Sequence, residues 1–159
     1  MLSLKKMAIL FLSILATVGA SGCAEKAFFP AVDIEITGVT PYELTPTTTD
    51  SASLPRTTVS IRSLSKIPST LKSYSIDYAT RLGEPLPGAS SGLSDIEVKI
   101  EPESTVELSL RPYSLTIVNL FDSSFSNISP VKARITLNFQ DVNGNWVSRN
   151  ANCLLHKLE

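Results

Sequence analysis

Val131-Lys132-Ala133-Arg134-Ile135-Thr136-Leu137-Asn138-Phe139-Gln140, running into Asp141-Val142-Asn143-Gly144-Asn145, is the stretch on which the fold turns. Five apolar residues, Val131, Ala133, Ile135, Leu137 and Phe139, alternate with polar ones. A period of two puts all five on one face of a strand and the polar set on the other. Asn143-Gly144 then supplies the positive φ angles that a tight hairpin turn requires. A returning strand therefore starts near Trp146 and extends to about Leu158. Its phase stays open, because the adjacent Leu154 and Leu155 point to opposite faces.

The same alternation recurs upstream. Val32, Ile34 and Ile36 show it, as do Val59 and Ile61, then Tyr74, Ile76 and Tyr78. Ile96, Val98 and Ile100 follow, then Val106, Leu108 and Leu110. With the closing pair this makes seven strands, separated by Thr/Ser/Pro- and Gly/Pro-rich stretches at 41–55 and 83–92. In residues 113–128, Leu115, Val118, Phe121 and Phe125 could form one face of a short helix, although Leu120 breaks the pattern; the segment reads as a crossover with one helical turn. The expected fold class is all-β: a seven-stranded antiparallel β-sandwich of immunoglobulin-like or fibronectin type III-like kind, over residues 31–159. The Cys…Trp…Cys framework of antibody domains is absent, so that likeness is one of architecture.

One register can be specified. If 94–101 and 105–111 form a hairpin about Pro102, Ile100 pairs with Val106, Val98 with Leu108 and Ile96 with Leu110. The outer face then sets Lys99 opposite Glu107 and Asp95 opposite Arg111, two pairs of opposite charge.

The first 22 residues have another character. Lys5 and Lys6 precede an apolar run, Met7 to Val18, interrupted only by Ser13 and Thr17, and small residues follow. This is the layout of a secretory signal helix, too short for a permanent bilayer span. Ala20-Ser21-Gly22-Cys23 resembles the lipobox of bacterial lipoproteins, with Ala20 standing where that family most often has Leu. The resemblance implies cleavage between Gly22 and Cys23, diacylglycerol on the Cys23 thiol (with further acylation such as palmitate) and a lipid anchor in the cell envelope. Ala20 and Gly22 would also suit an ordinary signal peptidase; Cys23 in register decides for the lipobox. Ala24 is not the Asp that holds lipoproteins at the inner membrane in enteric-type bacteria, which implies an outer-membrane address in a diderm and otherwise the outer leaflet of the plasma membrane.

Four stretches of the mature chain carry a second resemblance. Val59-Ser60-Ile61, Ser73-Tyr74-Ser75-Ile76-Asp77-Tyr78 and Gly83-Glu84-Pro85-Leu86-Pro87-Gly88, with the closing hairpin at 135–145, are similar to Ig-like domains of uncharacterised bacterial lipoproteins. A weaker likeness is to the β-sandwich domains of water-stress and late-embryogenesis proteins. Neither implies an activity.

Loss of residues 1–22 leaves 137 of 159 residues, enough for one domain. Lys5 and Lys6 leave with the signal, so 12 of the 14 basic residues remain against 15 acidic ones, a balance of −3. Such a surface gives no support for nucleic-acid binding or a polybasic membrane patch. Residues 23–30 are a short lipidated tether; the seven residues of 24–30 reach at most about 25 Å, which keeps the domain close to its bilayer.

Chemistry is sparse. If Cys23 is acylated, Cys153 has no partner and is expected as a small buried residue on a strand. His156 is the single histidine, and residues three apart on one strand point to opposite faces, so a Cys153–His156 dyad would need a bulge. Asp141, Asn143 and Asn145 have the oxygen spacing that begins a calcium loop, but the glycine and the closing glutamate are out of place, so a plain turn is expected. Asp95, Glu97, Glu101, Glu103 and Glu107 form an acidic set that reads as a hairpin's solvent face. No catalytic set, metal site or cofactor is expected. The leading functional expectation is a non-enzymatic, membrane-anchored module, structural or protein-binding, with a possible envelope protein as partner. The alternative is a ligand-binding or glycan-active domain using the acidic face or the aromatics Tyr74, Tyr78, Tyr113 and Trp146.

Overall fold

The side chains of Val131, Ala133, Ile135, Leu137 and Phe139 are all fully buried, as the alternation requires. They belong to a computed structural model that describes residues 32–48, 53–86, 88–122 and 129–158. The expected signal segment 1–22, the expected Gly22–Cys23 cleavage site, the expected tether 23–30 and Phe125 lie outside the described residues.

In chain order the strands are β1 (Ile34–Thr40), β2 (Glu43–Leu44), β3 (Thr57–Ser63), β4 (Ser69–Ala79), β5 (Ser91–Ile100), β6 (Thr105–Leu110), β7 (Val131–Asp141) and β8 (Trp146–Leu155). Among the described residues one helix, α1 (Leu115–Asp122), lies between β6 and β7. The chain is mostly β, in two sheets: β1-β3-β6, and β2-β8-β7-β4-β5. All pairings are antiparallel except β2 on β8. Apolar side chains from both sheets and from α1 make one core, centred on Ile34, Val59, Ile61, Leu71, Ile100, Ile117 and β7.

Seven of these strands fall where alternation puts them. The addition is β2, two residues inside the Thr/Ser/Pro stretch, too short to carry a period. It is held by backbone bonds of 2.8 Å from Leu154 N to Tyr42 O and from His156 N to Leu44 O. The β7–β8 hairpin keeps one register from Gln140↔Trp146 to Val131↔Leu155. That register fixes the phase of β8: Ala151, Cys153 and Leu155 point inward, opposite Ile135, Ala133 and Val131, and Leu154 faces the other way. The strand ends at Leu155, three residues before the expected limit.

The expected hairpin between 94–101 and 105–111 does not form. Lys99 lies opposite Thr70 on β4, and Glu107 opposite Ser60 on β3. Val98 pairs with Leu71 and Val106 with Ile61. Residues 101–104 carry the chain from one sheet to the other as an arch. Its backbone is satisfied locally: Ser104 Oγ donates to Glu101 O at 2.7 Å, Ser63 N to Ser104 O at 2.8 Å, and Glu103 N to Ser65 O at 3.3 Å, with Glu103 at φ 53°. The inward phase of both strands is as expected, with Ile100 and Leu110 buried. Alternation fixes which face is apolar, and an arch buries that face as well as a hairpin does. The surface charge pairs that favoured the hairpin are worth only about 0.2–1 kcal/mol each, too little to oppose pairing on a second sheet.

The helix starts one residue after Ser114, whose Oγ accepts from Ile117 N at 3.2 Å, an N-cap. This cap sets the buried face as Ile117, Val118 and Phe121 and leaves Leu115 exposed, in place of the expected face through Leu115.

Strand directions give the domain two distinct ends. Val32 leads into β1 at the end that also carries the connections 64–68, 101–104 and 142–145, here termed proximal. The described residues of the connections after β1, β4 and β6 (41–48 and 53–56, 80–86 and 88–90, 111–122 and 129–130) lie at the opposite, distal end.

Candidate functional site

The Asp141 turn shows what its carboxylate is for. Oδ1 accepts from the backbone N–H of Asn143 at 2.8 Å and of Asn145 at 2.9 Å, and Oδ2 accepts from Asn145 Nδ2 at 3.0 Å. Asp141 is buried. Burial opposes its charge, but the bonds from Asn145, Asn143 and Gly144 outweigh that and hold the carboxyl below its ordinary value. Both oxygens are committed to the turn, and Gly144 sits at φ 85° as the Asn-Gly pair implies. This is a hairpin turn and not the start of a cation loop.

Cys153 lies in the core, fully buried between sheets, and desolvation pushes its thiol up to about 12. A thiol held neutral is a poor nucleophile. His156 follows the end of β8, and its Nε2 lies 3.4 Å from Glu43 Oε2, within ion-pair range but without hydrogen-bond geometry. The two residues occupy different settings, one in the core and one beside β2.

The acidic set is dispersed. Asp95 and Glu97 face outward from β5, Glu107 faces outward from β6 in the other sheet, and Glu101 and Glu103 sit in the arch. Glu97 pairs with Lys72 at 3.3 Å. The loss of the expected hairpin register therefore does not bring the carboxylates together; it separates them. Among the described residues, no group of three or more His, Cys, Asp or Glu is arranged to hold a metal ion.

The aromatics divide in the same way. Tyr78 is buried with its hydroxyl donating to Pro112 O at 2.7 Å, and burial raises its phenol to about 12. Tyr113 is buried, its hydroxyl 2.6 Å from Leu44 O and 2.9 Å from His156 O, and desolvation again raises its pKa. Both rings are structural. Tyr74 packs partly against the core. Trp146 alone of the four is well exposed, at 60%.

What the surface offers is a set of exposed apolar side chains at the two ends. Tyr42, Leu82 and Leu115 are at the distal end; Leu64, Val142 and Trp146 are at the proximal one. A cleft of about 390 Å³ lies on the outer face of the larger sheet at the proximal end, lined by Lys72, Lys99, Gln140 and Val142 among others. Sequence reasoning passed over Leu82 and Val142 because they sit inside turn-rich stretches. The available signal was their apolar character, where polar residues would serve the turn equally well. Among the described residues no helix is long and apolar enough to cross a membrane. Gly22 and Cys23, the expected processing and lipidation residues, lie outside the described residues.

No family model and no curated protein matches the chain. Among solved structures it is similar to a candidate ApaA protein from Bordetella pertussis, with a TM-score of 0.50 and 17% identity, covering 79% of this chain and 94% of that one. A candidate late embryogenesis abundant protein is matched with a TM-score of 0.41 and 12% identity over 97% of this chain and 88% of that one. The sporulation control protein Spo0M of Bacillus subtilis is matched at 0.42 and 8% identity over 80% and 50%. At these identities the first likeness speaks to the fold alone, and the chain is a two-sheet, all-β domain.

Proposed function

We propose that this chain is a bacterial lipoprotein, cut between Gly22 and Cys23 and anchored in the cell envelope by lipid on Cys23, whose domain is a non-catalytic protein-contact module. The observation that carries this reading is polarity. The chain leads into β1 from the proximal end, while the long connections with exposed Tyr42, Leu82 and Leu115 lie at the distal end. A domain held by a short tether would present those side chains away from the bilayer, where an envelope protein can reach them. The destination is the outer membrane in a diderm, by Ala24, and otherwise the outer leaflet of the plasma membrane.

The domain is best read as Ig-like, of the fibronectin type III kind. Support comes from three strands (β1, β3, β6) set against four (β5, β4, β7, β8), with β5 crossing to β6 between sheets and the short β2 added beside β8. The non-catalytic reading is supported by the dispersal of the carboxylates, the burial of Cys153 and the structural use of Tyr78 and Tyr113. These same facts weaken a glycan-active alternative.

Intact mass of the membrane-extracted protein tests the anchor: a mature N-terminus at Cys23 without acyl mass would sink it. Photo-crosslinkers at Leu82 and Leu115 in cells test the module. Both should give discrete adducts that a crosslinker at exposed Leu93, on the free edge of the larger sheet, does not. Equal or absent adducts at all three positions argue against a distal contact surface.

A further inference from the structure

Three exposed apolar side chains lie at the proximal end. Val142 stands on the β7–β8 turn, 67% exposed. The turn's backbone is already satisfied by the Asp141 carboxylate, so the turn has no use for a β-branched apolar side chain there. Trp146 opens β8 opposite Gln140 and faces outward at 60% exposure. Leu64 follows β3, its N–H donating to Asp33 O at 2.9 Å, which places it beside the start of β1; it is 45% exposed. Arg149, three residues after Trp146, donates to Ile34 O and lies 3.7 Å from Asp33. That tie holds the start of β8 against the start of β1, so the two sheets present this end as one surface.

The chain outside the described residues says what could cover it. From Cys23 to Val32 there are nine residue steps, at most about 32 Å of extended chain. Val32, which leads into β1, is at this same end. We propose that the proximal end rests on the membrane, with Trp146, Val142 and Leu64 inserted at the level of the lipid headgroups. This rests on the anchored reading given above and adds an orientation and a second membrane contact to it. Tryptophan suits the position: an amphipathic ring settles at the boundary between acyl chains and water. The lipid on Cys23 makes the contact effectively intramolecular, so a few side chains that would not bind a bilayer alone are enough to hold the domain upright. Lys99 stands on the same cross-strand row as Gln140 and Trp146, within reach of headgroup phosphates.

Trp146 is the single tryptophan, so its fluorescence reports this end without any substitution. The mature lipidated protein is reconstituted into phosphatidylethanolamine–phosphatidylglycerol vesicles with and without brominated acyl chains. Emission should move to shorter wavelength than in the soluble Cys23→Ser protein, and brominated chains should quench it. Val142→Asp should reverse both effects while the protein still floats with the vesicles. Protein that floats, but whose Trp146 keeps the emission of the soluble form and escapes bromine quenching, overturns this inference and leaves the anchor standing. Protein that does not float removes the anchor and this inference together.

Discussion

The hydroxyl of Tyr113 lies 2.6 Å from the carbonyl oxygen of Leu44, 69 residues earlier in the chain. His156 O lies 2.9 Å from the same hydroxyl, and His156 N donates to Leu44 O. One phenol thus ties the segment after β6, the two-residue β2 and the end of β8 into a single knot. Strand β2 has too few ladder bonds to stand by itself, so its place depends on this knot. Burial also explains the raised pKa of the phenol, which stays neutral and donates its proton throughout the ordinary pH range.

Tyr113→Phe keeps the ring and removes only the hydroxyl. The expected cost is about 1 kcal/mol of global stability, the usual net worth of a buried hydrogen bond. Loss should also be local: the Leu154 and His156 amides, which pair with the β2 segment, should exchange with deuterium faster than those of β7. Unchanged exchange at both amides would show that β2 is held by something other than Tyr113.

Asp141 predicts an acid dependence. Its folded-state pKa is lowered, because hydrogen bonds from Asn145, Asn143 and Gly144 overcome the opposing effect of burial. A depressed carboxyl contributes stability that is complete above its unfolded pKa, about 3.9, and is lost as pH falls through the folded value. Urea midpoints of the wild type should therefore fall below about pH 4 more steeply than those of Asp141→Asn, which should cost about 1–2 kcal/mol at neutral pH. Parallel pH profiles for the two proteins would remove the carboxylate from this role.

Cys153 predicts the opposite sign. Burial raises its thiol to about 12, well above the unfolded value of about 8.5. The neutral thiol is favoured in the fold, so this contribution is complete below about pH 8.5 and is lost as pH rises from there toward the folded value. In the native state Cys153 should react slowly with a thiol reagent at pH 8, and quickly once urea unfolds the chain. Rapid native labelling would mean that the core opens at β8, and Cys153→Ala should then change stability little.

How far these features were legible in the sequence depends on what alternation encodes. The five inward side chains of β7 could be read directly, since a period of two names a face. The phase of β8 could not, because Leu154 and Leu155 cancel; it became fixed only by the register that the Asp141–Asn145 turn imposes. The face of α1 depended on where the Ser114 cap starts the helix, a single-residue effect. Strand β2 left no trace, since Glu43-Leu44 is too short for any pattern and is placed by Tyr113 from far along the chain. Exposed Leu82 and Val142 were visible as residues, but their exposure is a property of the folded turn.

Pairing partners are what alternation leaves open, and Lys99 makes the case testable. A hairpin would set Lys99 directly opposite Glu107; the arch sets it opposite Thr70 and sends Glu107 to face Ser60 across the other sheet. Residues directly opposed on antiparallel strands have Cα atoms about 4.5–5.5 Å apart, within the range a disulfide spans. Outward-facing residues of two packed sheets are separated by more than the sheet spacing of about 10 Å, beyond that range. In a Cys23→Ser background, with Cys153 buried, Thr70→Cys with Lys99→Cys should therefore oxidise to a disulfide, as should Ser60→Cys with Glu107→Cys. Lys99→Cys with Glu107→Cys should remain reduced under the same oxidant. Non-reducing peptide mapping separates the outcomes. A Lys99–Glu107 crosslink formed in the folded protein would restore the single-sheet hairpin, unite the acidic residues on one face and return them to consideration as a site.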